Sequence, residues 1–215
     1  MDISSKIQLV DKNGEPISWK GSGKGDAFVQ KRLPDYSQLV QAGKVWAALD
    51  TTTTAALVAR PTTTASLTAQ NAASSLTYKV LFGALMYTDV VPATLGMVSL
   101  WLCVHKLAAA ALTRDLVLQG TGAGTALGYK GGKSYDGDLI LDRGATVIDD
   151  GWIPVGEPVE SNIATTNFVA KEVPFKVPVI LPPGMSASLQ TTATVVTFET
   201  ALGFIWAEVG IDDIE

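Results

Sequence analysis

The sequence predicts an all-β chain, an antiparallel β-sandwich preceded by an extended N-terminal arm, and three observations carry that expectation. Short runs rich in Val, Ile, Thr, Phe, Tyr and Trp recur through residues 45–215, separated by Gly, Pro, Asn and Asp turn signals. The closing stretch Val177–Gly210 reads as three successive strands, with Pro182-Pro183-Gly184 as the first turn. There Pro183 presets φ and Gly184 supplies the positive φ that a type II turn needs next. Only Leu107–Thr113, with its four alanines, reads as helical. Eight to ten strands at this spacing predict two packed sheets, with the jelly roll as the arrangement to test.

Residues 1–43 differ from the rest. Asp11-Lys12-Asn13-Gly14 and Gly21-Ser22-Gly23-Lys24-Gly25-Asp26 are turn or flexible signals, and Trp19, Phe28, Leu33 and Tyr36 stand among them as isolated large residues. The division expected is an arm over 1–43 and a sandwich over 44–215. Residues 1–44 hold seven basic and five acidic groups, the remainder nine and sixteen. That asymmetry predicts an arm drawn to an acidic surface.

Within the sandwich, Thr51–Arg60 and Pro61–Gln70 align with six identities. A period of ten repeated once is too short for a solenoid, whose units run to roughly 20 to 45 residues, so the echo predicts two similar strand edges. Pro61 lacks an N–H, which places the second copy after a turn or on a sheet edge. Further strands are expected at Thr77–Tyr87, Met97–Lys106, Asp115–Gln119, Asp138–Asp142 and Phe168–Leu181, with Thr194–Phe198 as the middle one of the three closing strands. In Met97–His105 both faces are apolar. One face presents Val98, Leu100, Leu102 and Val104 and the other Met97, Trp101 and Cys103, so that one can pack the core while the other meets a neighbouring subunit.

Apolar residues make up 47% and charged residues 17% of the chain, against about 25% charged in an average soluble domain; the deficit predicts surface buried between subunits. A formal charge of −5 argues against a nucleic-acid partner, since such proteins concentrate Lys and Arg against phosphates. Cys103 is the only cysteine, which excludes an intrachain disulfide and fits synthesis in a reducing cytoplasm. No stretch near the N-terminus has the apolar length of a signal peptide. Val90–Leu112 is the one stretch to weigh as a membrane span; Pro92, Gly96, His105 and Lys106 interrupt it, and a strand fits better than membrane contact.

Catalytic patterns are few. His105 is the only histidine, which excludes two-histidine iron sites and most catalytic zinc sites. It lies in a strand, and no Gly-x-Ser-x-Gly elbow exists, so a packed or interface histidine is expected. Gly120–Ser134 has the composition of a phosphate loop without its spacing: the third glycine is Gly124, and Leu127 stands where a Walker loop needs glycine. A long exposed loop, able to serve as a contact loop, is the better reading. Asp136, Asp138, Asp142, Asp149 and Asp150 are the densest acidic region, but Ile140 occupies the third ligand position of a calcium loop, leaving solvated carboxylates as the expectation. No catalytic, metal or cofactor site is predicted, and the chain is expected not to be an enzyme.

Trp46-Ala47-Ala48-Leu49-Asp50 with the Thr51–Thr54 and Thr62–Thr64 tracts, together with Val179–Gly184 and Gly203–Val209, resembles structural proteins of tailed-bacteriophage virions, in particular the capsid decoration or cement type. The resemblance covers about three quarters of the chain. It implies a β-sandwich, often a homotrimer, made in the host cytoplasm and bound to the major capsid protein on the outer shell between capsomers, with no cofactor. In that role Trp19, Phe28, Leu33 and Tyr36 would anchor the arm on the shell. The alternative is a receptor- or glycan-binding module of a tail fibre or baseplate, with Tyr129, Tyr135 and Trp152 as its aromatic platform.

Overall fold

The computed structural model describes residues 37–90, 96–106, 112, 126–132, 134–143, 151–161, 170–195 and 197–211. The compact unit Gln38–Glu215 is the sandwich. Its strands are β1 (Val45–Leu49), β2 (Thr54–Ala55), β3 (Leu67–Asn71), β4 (Thr77–Val90), β5 (Gly96–Lys106), β6 (Leu127–Gly128), β7 (Leu139–Arg143), β8 (Ile153–Ser161), β9 (Ala170–Leu181), β10 (Met185–Ala193) and β11 (Glu199–Gly210), preceded by a short helix α1 (Ser37–Gln41).

One sheet runs β6-β1-β11-β4-β9, with β2 also on β11, and the other β7-β3-β10-β5-β8. The pairing is nested: β1 with β11, β3 with β10, β4 with β9 and β5 with β8, all antiparallel. The pairs β11–β4 and β10–β5 then join these ribbons side by side. A double-stranded ribbon rolled in this way is a jelly roll, so the predicted fold class and its finer arrangement both hold.

Alternation explains the core. Leu202, Phe204 and Trp206 of β11 and Leu81, Ala84 and Met86 of β4 point inward, and an extra β4 residue, Phe82, at the register shift opposite Ile205 and Trp206 puts Leu81 and Ala84, three apart in sequence, on the same core face. Val98, Leu100 and Leu102 of β5 meet them from the other sheet with Ala187 and Leu189 of β10. The turn before β10 is the one foreseen: Met185 N–H donates to Pro182 O at 3.0 Å, and Gly184 has φ 83°. Pro61 lies just before β3, as expected of it, but the two threonine-rich copies diverge. The first crosses between sheets, β2 pairing with β11 and Leu57 bridging Thr192, whereas the second ends in β3.

Three expectations are corrected. Thr194–Phe198 is not a strand, because the chain must cross there from one sheet to the other; Ala193 and Thr194 N–H bond to Leu57 O and Met97 O, and Phe198 plugs the core. Residues 38–43 are sandwich in character. Leu39 and Val40 of α1 pack with Val45, Ile205 and Ala207 on the outer face of β1 and β11, and Gly43, at φ 71°, caps the helix by donating to Val40 O. Finally, the second apolar face of β5 is covered within the chain rather than by a neighbour at Cys103, which is buried among Ala65, Trp152, Trp101 and Leu112. The predicted helix at 107–113 and strand at 115–119 fall outside the described residues, save Leu112. Among the described residues no helix is long and apolar enough to cross a membrane.

Candidate functional site

The anchors expected on the arm, Trp19, Phe28, Leu33 and Tyr36, lie outside the described residues. Chemistry in the sandwich can be weighed directly, beginning with its single histidine. His105 Nδ1 is 2.6 Å from Lys106 O, so the proton sits on Nδ1 and Nε2 is left to accept from the Ser188 hydroxyl at 2.8 Å. Thr68 then donates to Ser188 across 2.8 Å. A serine bonded to a histidine is the geometry of an activated nucleophile. Here both are buried, and the group orienting the imidazole is a backbone carbonyl rather than a carboxylate. With no route for a substrate, the triplet is a polar ladder on the outer face of β3, β10 and β5, continued by the Ser66 to Gln190 hydrogen bond.

The glycine-rich loop holds no helix N-terminus after Gly132, because Ser134 bridges Leu127 and the chain runs on to β7. The acidic region behaves differently from its expectation. Asp138 is not simply solvated: Lys79, whose side chain is fully buried on β4, donates to Asp138 Oδ1, to Glu208 Oε1 at 2.5 Å and to Thr77 Oγ1 at 2.7 Å. Glu208 is the cross-strand partner of Lys79 and also accepts from the Tyr135 hydroxyl at 2.5 Å. Burial raises the Asp138 carboxyl, but hydrogen bonds from Lys79 and Ser75 and the Lys79 charge outweigh it and hold the group below the usual carboxylate range. Tyr135 is pushed far above an ordinary phenol by burial first and the Glu208 charge second. It is wedged between the rings of Trp46 and Trp206 at 5.3 and 5.2 Å, both edge-on. Sequence reasoning missed this cluster. Its one signal was a lysine two residues before Leu81, on the inward face of β4.

The aromatic platform of the glycan reading does not assemble. Tyr135 is 3% and Trp152 4% exposed, Trp152 being tied to Thr62 O at 2.6 Å, so Tyr129 alone of the three reaches solvent.

Among the described residues, one open feature of the sandwich is a crevice of about 600 Å³ where the edge strands β8 and β9 face each other, with Leu102, Ile153, Val155, Phe175, Val177 and Val179 among its walls. Ile153 pairs with Leu102 and Val155 with Leu100, so both lie on the core-facing side of β8. Ile153 is nevertheless 56% exposed and Val177 76%. Their exposure follows from β9 leaving its ladder: Val179 pairs with Leu81 and Pro174 with Gly83, and the intervening residues bulge outward. Pro154, Pro158, Pro174 and Pro178 lie on the same two strands, where missing N–H groups block indefinite edge-to-edge stacking. Ion pairs link the sheets elsewhere, Arg143 at the end of β7 gripping Asp50 after β1 through two bonds of 2.8 and 2.9 Å. Comparison with protein-family models, curated proteins and solved structures finds no match to this chain.

Proposed function

We propose that this chain is a virion structural protein of the capsid decoration type, which binds an assembled shell between capsomers and stabilises it by adding interface. The observation that carries the proposal is the apolar crevice between β8 and β9, an unsealed stretch of sandwich core beside exposed Ile153 and Val177. Solvent contact with that much inward-facing apolar surface is unfavourable at about 25 cal/mol per Å², and a partner covering it recovers that cost. The low charge fraction of the chain and its jelly-roll topology, an architecture used in viral capsids and in lectins, add support. An ordinary interface of roughly 1,200 to 2,000 Å² per site, multiplied over many copies, is enough to raise the resistance of a shell to disassembly.

The tail-fibre or baseplate module is the weaker reading, since two of its three aromatics are buried. Mixing the purified protein with undecorated shells of its phage and pelleting them separates the two. Saturable recovery with the shells is the expected result. Protein that stays in the supernatant while binding a glycan array contradicts it and selects the fibre reading.

A further inference from the structure

We propose that the folded chain joins Lys79 to Asp138 through an intramolecular amide bond, with Glu208 as the proton carrier. The proposal is independent of shell binding and rests on one amine and two carboxyl groups brought together where solvent does not reach the amine.

Lys79 has 0% side-chain exposure and touches Asp138 and Glu208 at once. The walls are Tyr135, itself packed between Trp46 and Trp206. Condensation of an amine with a carboxylic acid is unfavourable between ions in water, because both charged forms are well solvated. Two features reverse that here. The Lys79 nitrogen is closed to the water that hydrates an ammonium in solution and that would hydrolyse the amide. Contact between the groups replaces an encounter with an effective concentration that reaches about 10⁵ to 10⁸ M in well-oriented intramolecular reactions.

The step balances without any co-reactant. Glu208 Oε1, in contact with Nζ, takes one proton from the ammonium and delivers it to the Asp138 carboxylate, giving a neutral amine beside a neutral acid. The Nζ lone pair forms a bond to Asp138 Cγ. Glu208 takes a second proton from Nζ and passes it to the departing hydroxyl, the Cγ–O bond breaks, and water leaves. Glu208 is regenerated, and the net change is one amide gained and one water lost. The Asp138 side chain is 47% exposed, which gives that water an exit while the amine stays enclosed.

Asp138 rather than Glu208 supplies the acyl group because Glu208 is held in the carrier position by the Tyr135 hydroxyl. Gly137 makes the approach possible, since a Cβ there would collide with Glu208 Oε1 and the Tyr135 hydroxyl. The bond would link β4 in one sheet to the residue just before β7 in the other, a covalent strut through the sandwich.

The test is the intact mass of the purified full-length protein followed by peptide sequencing in the mass spectrometer. The expected result is a chain lighter by one water, a branched peptide joining Lys79 to Asp138, and full sequence mass for Glu208→Gln and Asp138→Ala. Wild-type protein at full mass overturns the proposal whatever the variants do. So does a water loss confined to a linear peptide across Asp136-Gly137, which is a cyclic imide of that pair, or a branch from Lys79 to Glu208. A Glu208→Gln protein that is still lighter by one water overturns the role given to Glu208.

Discussion

Lys79 concentrates the residue-scale physics of this molecule: a long cationic side chain on the core face of a central strand, tolerable only because two carboxylates and a hydroxyl surround its nitrogen. Acid dependence follows from the same contacts. Asp138 is held below the ordinary carboxylate range, so as an ion it contributes stability in full above that range and loses it as pH falls through the lowered value. A chain in which the amide has formed has no such group to titrate. Denaturant unfolding from neutral pH down to about pH 3 should therefore show an acid loss in Glu208→Gln that is smaller in wild type; equal losses would count against the amide. Gly203 makes a second residue-scale case. A Cβ at this position would run into the Ala48 backbone where β1 and β11 pair, so Gly203→Ala should cost about 1 to 3 kcal/mol in denaturant unfolding. That glycine was visible in the sequence only as one residue of a closing strand, since the close approach comes from β1, more than 150 residues earlier. Lys79 was hidden for the same reason. Its partners Asp138 and Glu208 are remote in sequence, and only the roll of the sheets brings them together.

At the scale of elements, local chemistry was legible and crossings were not. The Pro182-Pro183-Gly184 turn, β4, β5, β7 and β9 follow from alternation and turn residues in the chain itself. The break at Thr194–Phe198 does not, because those five residues have strand composition and are bent by the need to change sheets. A five-residue helix such as α1 is too short to show a period. The Asp50–Arg143 pair fastens β1 to β7 across the sandwich, with Asp50 nearly fully buried. Arg143→Ala leaves that carboxylate without its fork and should cost about 2 to 4 kcal/mol in denaturant unfolding, whereas Arg143→Lys, which keeps charge but not geometry, should cost less. The crevice was not legible at all. Its strands were foreseen in part, but which two edges face each other is a property of topology.

Across the sandwich, the nested pairing leaves an apolar seam uncovered between β8 and β9, while parts of the outer faces carry their own cover, α1 on one sheet and Trp152 with Ala65 on the other. That cover accounts for some of the apolar excess that composition alone assigned to subunit contacts. Native mass of the purified protein is expected to be that of a trimer, and a monodisperse monomer would count against the oligomer implied by the decoration reading. The most direct measurement is a shell-binding titration comparing wild type with the double variant Ile153→Asp, Val177→Asp. Both side chains are exposed, so the double variant should stay folded, which its own denaturant unfolding checks. Desolvating two carboxylates in a buried contact should weaken shell affinity by about tenfold or more, equivalent to about 1.4 kcal/mol. A folded double variant that binds shells as tightly as wild type would contradict the assignment of the β8–β9 crevice as the contact surface.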